Sequence, residues 1–181
     1  MRAAFLDRDG IVNRDHGYVY QPDDFIFMDG IFELLKFLKE KDFLLFLVTN
    51  QSGIGMGYYT EEDFKILTQF MQKEIKKELG FNFNEIYFCP HRADENCLCR
   101  KPKPGMIKKA IQNYRIDLDQ SLLIGDRIRD VQSAQAGGVK IKFLVDNQEN
   151  DEESLALISH LYRVQTLKQI PDILMEVFNG F

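Results

Sequence analysis

Hydrophobic positions along the chain follow two alternating rhythms. Short apolar runs at Ala3 to Leu6, Phe43 to Val48, Ile86 to Cys89, Leu122 to Ile124 and Val139 to Val145 are each bounded by polar or glycine-containing turns. Brevity of that kind predicts buried strands. Between the runs, apolar residues recur at helical spacing, as in Ile31, Leu34, Leu35 and Leu38, and again in Phe64, Leu67, Phe70 and Met71. The second set follows Thr60-Glu61-Glu62-Asp63, where a Thr and an Asp three residues on have the pattern of a capping box. Further helices are predicted over Gly105 to Tyr114, over Ile128 to Ala136 with a stop at Gly137-Gly138, and over Leu167 to Phe178, with a polar acidic loop over Asp146 to Glu153. Strands alternating with helices imply an α/β fold of three layers, a Rossmann-like parallel sheet with helices on both faces.

Composition narrows this picture. The 181 residues are 45% hydrophobic and 12% aromatic, enough for one well-filled core, so a single domain spanning 1–181 is expected. Formal charge is −5, and the Lys and Arg residues are scattered, which argues against nucleic acid or a membrane surface as partner. A small soluble ligand and a monomeric protein are expected instead. Met1 to Leu6 run straight into a charged cluster, with no apolar stretch of signal-peptide or transmembrane type, so the cytoplasm is the expected location.

In a parallel α/β sheet, ligands bind at the carboxyl ends of the strands. The segments that follow four of the predicted strands carry Asp7-Arg8-Asp9-Gly10, Thr49-Asn50-Gln51-Ser52-Gly53, the Cys89 to Lys101 loop, and Gly125-Asp126-Arg127-Ile128-Arg129-Asp130. Each residue has an ordinary alternative role. Asp7 and Asp9 could shape a turn, Asp126 could cap a helix, Asp130 could face solvent, and Thr49 and Lys101 could be a strand end and a solvated cation. Taken together, carboxylates from two strands supply the hard oxygens that Mg²⁺ prefers.

All three cysteines of the chain, Cys89, Cys97 and Cys99, lie close to His91. Four soft or borderline donors at that spacing suit a closed, structural zinc site better than a disulfide framework. Such a site would stiffen the loop that delivers Arg100 and Lys101. No long insertion separates the first acidic motif from Thr49, or Thr49 from Lys101, so no large cap domain is expected. The local loop Asn13 to Gln21 would then flank the site, with Asp15, His16 and Tyr18 around Gly17 offering hydrogen-bonding side chains or forming an ordinary surface turn. His160 has no partner motif and is expected at the surface.

The ordered set Phe5-Leu6-Asp7-Arg8-Asp9-Gly10, Val48-Thr49-Asn50-Gln51, Arg100-Lys101-Pro102 and Gly125-Asp126-Arg127 with Asp130 resembles the four motifs of the haloacid-dehalogenase-like phosphatases. Within them, Asp15-His16-Gly17-Tyr18-Val19, Asn50-Gln51-Ser52-Gly53-Ile54 and the Cys89 to Pro102 segment resemble the heptose 1,7-bisphosphate 7-phosphatases, whose relatives include histidinol-phosphatase domains. The resemblance implies Asp7 as nucleophile, Asp9 as general acid and base, and Thr49 and Lys101 as donors to the phosphoryl oxygens. It implies Mg²⁺ held by Asp7, the Asp9 main-chain carbonyl and Asp126, with Asp130 nearby. It places Asp15, His16, Gly17, Tyr18, Asn50, Gln51, Ser52 and Arg100 around a sugar bisphosphate whose product feeds nucleotide-activated heptose synthesis for a cell envelope. Histidinol phosphate is the alternative substrate, favoured by the short stretch between His91 and Cys97 and opposed by the Asp15 to Val19 segment. A non-catalytic zinc module and a DNA-end phosphatase are opposed by the intact acidic motifs and by the acidic charge balance, respectively.

Overall fold

The computed structural model describes residues 1–145 and 152–179. Six strands, β1 (Arg2–Leu6), β2 (Phe43–Asn50), β3 (Glu85–Cys89), β4 (Leu122–Gly125), β5 (Ile141–Val145) and β6 (Leu161–Val164), form one sheet in the order β3-β2-β1-β4-β5-β6, with every pairing parallel. Seven helices accompany them among the described residues: α1 (Ile31–Glu40), α2 (Ser52–Gly55), α3 (Glu61–Leu79), α4 (Gly105–Asn113), α5 (Ile128–Ala136), α6 (Glu152–Leu155) and α7 (Ile170–Asn179).

Strand periodicity sorts the core into two halves, because successive side chains point to opposite faces of a sheet. Ala4, Leu6, Leu45, Leu47, Ile124 and Phe143 pack with the apolar stripes of α1, α3 and α7. Ala3, Phe5, Phe46, Val48, Leu123 and Leu144 pack on the other side with Met106, Ile107 and Ala110 of α4 and Val131 and Ala134 of α5. The three layers expected from the sequence are therefore present, and no large cap covers them.

The capping box of α3 forms as its residues predict: Thr60 Oγ1 accepts from the Asp63 N–H at 3.1 Å, and Asp63 Oδ2 accepts from the Thr60 N–H at 2.7 Å. Two boundaries differ from expectation. Val139 is buried but precedes β5, its N–H donating to Ala134 O at 2.9 Å as the chain leaves α5 through Gly138 at φ +83°. Residues 146–151 of the expected acidic loop lie outside the described residues, and Glu152 and Glu153 belong to α6.

Strand order reverses direction of growth between β1 and β4, the switch point of a doubly wound sheet. The carboxyl ends of β1, β2 and β4 meet there. Past β1 the chain forms a small flap, held at its base where Arg14 N donates to Ile26 O at 2.8 Å and Met28 N donates to Val12 O at 2.9 Å.

Candidate active site

Three buried carboxylates gather at the switch point. Oxygens of Asp7, Asp126 and Asp130 lie within 4.8 Å of one another, contributed by the end of β1, the end of β4 and the first turn of α5. Local backbone makes the approach possible. Gly10 turns the chain at φ +86°, and a Cβ there would collide with the Asp126 carboxylate; a Cβ on Gly125 would collide with Asp130.

Lys101 is the counter-ion. Its Nζ stands 3.0 Å from Asp7 Oδ1 and 2.8 Å from Asp130 Oδ1, and it donates to Val48 O at 2.8 Å. The loop is pinned in register by Asn50, whose Oδ1 accepts from Lys101 N at 3.0 Å while its Nδ2 donates to Lys101 O at 3.1 Å. Asp130 has its other oxygen on the Arg127 N–H at 2.9 Å, capping α5. Burial works against the charge on Lys101, yet Asp130 and Asp7 outweigh it and leave the ammonium raised above its ordinary value.

Arg127 adds a guanidinium 3.4 Å from Asp126 Oδ2, yet two cations do not settle three acids. Burial, reinforced by Asp130 and Asp7, pushes Asp126 up to about 8. Burial also raises Asp7 to about 6, against the pull of Lys101. Ionising both therefore calls for a further positive charge, and an all-oxygen donor set beside an open cleft suits a hard divalent cation.

Asp9 is held differently. Arg8, almost wholly buried, brings Nη2 to 2.9 Å from Asp9 Oδ1 and 3.0 Å from Oδ2, and donates to Val19 O at 2.7 Å. Asn13 Nδ2 donates to Asp9 Oδ1 at 3.1 Å, and Gln51 Nε2 donates to Oδ2 at 3.0 Å. Gln51 also donates to Thr49 Oγ1 at 2.8 Å.

A cleft of about 350 Å³ opens beside this cluster, and Thr49, Lys101 and Asp130 are buried and not among its lining residues. Asp7, Asp9 and Asp126 form its floor, and Asp15, Gly17 and Tyr18 of the flap, Asn50 at the end of β2, Gln51 and Ser52 just past it, and Arg100 line it. His16 is exposed on the flap and is not among the lining residues. Arg8, Met56, Tyr59 and Arg129 line the cleft without having been picked out in the sequence. Arg129 stands three residues after Asp126 on the first turn of α5, a helical spacing that could have marked it. Tyr59 precedes the Thr60 cap and Phe64 is at the fourth helical position, the pair of a hydrophobic staple, which signals an anchored ring but not its use.

Beside the cleft, Cys89, His91, Cys97 and Cys99 converge. The Cys89 Sγ is 3.1 Å from Cys99 Sγ and 3.5 Å from Cys97 Sγ, and His91 Nδ1 is 3.3 Å from Cys99 Sγ. Those separations approach the ~3.7 Å edge of a tetrahedron with ~2.3 Å zinc–sulfur bonds. The Arg100 guanidinium donates to His91 O at 3.2 Å, linking this loop to the cleft.

Comparison with known proteins agrees with this geometry. The HAD-hydrolase-like family model matches residues 98–170. A Helicobacter pylori protein named D-glycero-beta-D-manno-heptose-1,7-bisphosphate 7-phosphatase is 53% identical over 144 residues, covering 80% of this chain and 83% of the relative. A Vibrio cholerae protein of the same name is 42% identical and covers 97% of both chains. The crystal structure of D,D-heptose 1,7-bisphosphate phosphatase from B. bronchiseptica, complexed with magnesium and phosphate, superposes with a TM-score of 0.83 at 30% identity, covering 97% of this chain and 99% of that one. The carboxylate cluster, the buried lysine at the switch point and relatives that match over nearly the whole chain lead to one assignment: the chain is a phosphoric monoester hydrolase and belongs to the heptose-1,7-bisphosphate 7-phosphatase family of haloacid-dehalogenase-like hydrolases.

Proposed function

We propose that this chain removes the 7-phosphate of D-glycero-D-manno-heptose 1,7-bisphosphate by way of an aspartyl phosphate on Asp7, releasing heptose 1-phosphate for nucleotide-activated heptose synthesis. The observation that carries the mechanism is Asp7 itself, a buried carboxylate at the strand end with one oxygen paired to Lys101. The sugar comes from the named relatives.

Asp7, Asp126 and the main chain at Asp9 would hold Mg²⁺, with Asp130 fixing Lys101 beside it. Bound there, the metal supplies charge neutralisation for a nucleophile and a phosphate that would otherwise repel each other. Asp7 attacks phosphorus in line while Thr49 Oγ1 and Lys101 Nζ bind the equatorial oxygens. Asp9 protonates the departing C7 oxygen and then takes a proton from the water that hydrolyses the acyl phosphate. Its carboxylate lines the cleft while it accepts from Arg8, Asn13 and Gln51. Arg100 binds the remote 1-phosphate, and Asp15 and Tyr18 on the flap read the hydroxyls.

Cys89, His91, Cys97 and Cys99 hold a structural zinc, and thiolate ligation of that kind suits the reducing cytoplasm. Every residue given a role above belongs to one chain, and a monomeric enzyme is the expectation. Phosphate release measured with Mg²⁺ on both anomers of the heptose bisphosphate and on histidinol phosphate tests the assignment. Preference for a heptose bisphosphate is expected; faster turnover of histidinol phosphate would overturn it.

A further inference from the structure

Tyr59 touches none of the acidic motifs directly, yet its hydroxyl is buried and donates to Gln51 Oε1 at 2.7 Å. Gln51 is itself almost wholly buried, so its amide has to be satisfied from the protein. The two ends of that amide differ. Nε2 meets Asp9 Oδ2 at 3.0 Å and Thr49 Oγ1 at 2.8 Å, which uses both of its hydrogens. An ionised carboxylate only accepts, so the atom facing Asp9 must be the nitrogen, and the atom facing Tyr59 must be the carbonyl oxygen. Burial pushes the Tyr59 hydroxyl up to about 12, which keeps it a donor at every working pH.

The consequence falls on Thr49. Its Oγ1 accepts from Gln51, and among the described residues no protein acceptor takes its own hydrogen. That O–H is left uncommitted near the end of β2, beside Asn50 and Gln51 of the cleft lining, where it could meet the transferred phosphoryl group. With a flipped amide, the Gln51 oxygen would face Asp9 and compete for the Thr49 hydrogen.

Tyr59 is held in place for this task. Its ring stacks on Tyr20 of the flap, with 5.3 Å between centroids and 5° between planes. Gly53 lacks the Cβ that would strike the Tyr59 ring. The Gln51 N–H donates to Cys89 O at 2.8 Å, so the backbone of the relay is tied to the first residue of the cysteine cluster.

The geometry points to Tyr59 as a positioning residue that acts through Gln51: it locks the amide so that Thr49 presents a hydrogen to the phosphoryl oxygens and Asp9 meets a donor. This rests on the phosphatase reading above, and deepens it. Thr49 and Asp9 act in the transition state, so losing the lock should lower kcat and spare KM.

The test uses the full-length enzyme with Mg²⁺ and heptose 1,7-bisphosphate. Tyr59→Phe removes one neutral hydrogen bond, so kcat should fall by about three- to tenfold with KM within about twofold, while metal content stays at the wild-type value. Gln51→Met should fall further, and the Tyr59→Phe/Gln51→Met double variant should be no slower than Gln51→Met, because Tyr59 then has nothing to orient. Independent, multiplying losses would overturn the proposal, as would a raised KM with unchanged kcat, the signature of direct substrate contact. Gln51→Glu keeps the size and removes both donors, so normal kcat in that variant overturns the idea even if Tyr59→Phe folds poorly. If wild type hydrolyses no phosphomonoester, the phosphatase reading itself fails and takes this one with it; if wild type is active and Tyr59→Phe equals it, only the positioning role fails.

Discussion

The molecule carries two clusters of side chains with the donor atoms of metal sites, and they are built on opposite principles. In the cysteine cluster, Cys89, His91, Cys97 and Cys99 face one another and none lines the cleft. In the carboxylate cluster, Asp7 and Asp126 do line it, and only Asp130 is withdrawn, fully buried between Lys101 and the start of α5. A complete ligand set aimed inward can only brace the chain. An incomplete one aimed at a cleft leaves positions for substrate. The difference teaches where chemistry and stability should part company under mutation.

The sharpest break is Asp7→Asn. The amide keeps the volume but is a poor nucleophile and a weaker metal ligand, so turnover should drop to assay background while zinc content is unchanged. Near-normal hydrolysis would rule out the aspartyl phosphate. Asp9→Asn should follow, with kcat lower by ~10²–10⁴-fold, the range for losing general acid–base assistance. Unchanged kcat would remove Asp9 from that role.

Arg100 lies between the two clusters and sharpens the contrast. Arg100→Ala should lose ~10- to 100-fold in kcat/KM on the heptose bisphosphate, the worth of a charge-assisted contact of about 1.5–3 kcal/mol, and much less on a simple monophosphate. Lys101→Ala should harm both substrates alike. Equal losses for Arg100→Ala on the two substrates would end its claim on the second phosphate. The mildest effect on turnover is expected from Cys97→Ser: zinc measured by metal analysis falls below one per chain, the melting temperature drops by about 5 °C or more, and kcat declines less than for the other variants. Full zinc and unaltered melting would break the closed site.

Sequence and structure agree where burial and spacing act locally. The strand cores around Phe5, Phe46 and Leu123 are short apolar runs because both faces of the sheet are covered, and the acidic motifs fall at strand ends because the chain turns there. β6 escaped notice: only Val164 of its four residues is buried, while Arg163 reaches out to Glu152 at 2.8 Å, so no apolar run marks this edge strand. Arg8 reads as a surface charge, and its burial depends on Asp9 and on Val19 O across the flap, neither of which local pattern reveals. His16 shows the converse. Expected around the substrate, it is exposed like its neighbours Asp15 and Tyr18 but, unlike them, is not among the residues that line the cleft. Which way a loop side chain points is decided by tertiary contacts, and spacing along the chain carries little of that.

The Lys101 bridge has one more consequence, in the order of events during turnover. With Arg8 neutralising Asp9, the wall behind the cleft holds three carboxylates, Asp7, Asp126 and Asp130, against the Lys101 ammonium and the Arg127 guanidinium, which stands 3.4 Å from Asp126 Oδ2. Burial works against ionising Asp7 and Asp126, so a phosphomonoester dianion arriving there would meet acids that cannot all carry charge. A divalent cation would let them ionise, with Arg100 and Arg129 at the mouth to draw the ester in. The expected order of events is therefore metal before ester, with substrate affinity climbing as metal occupancy rises.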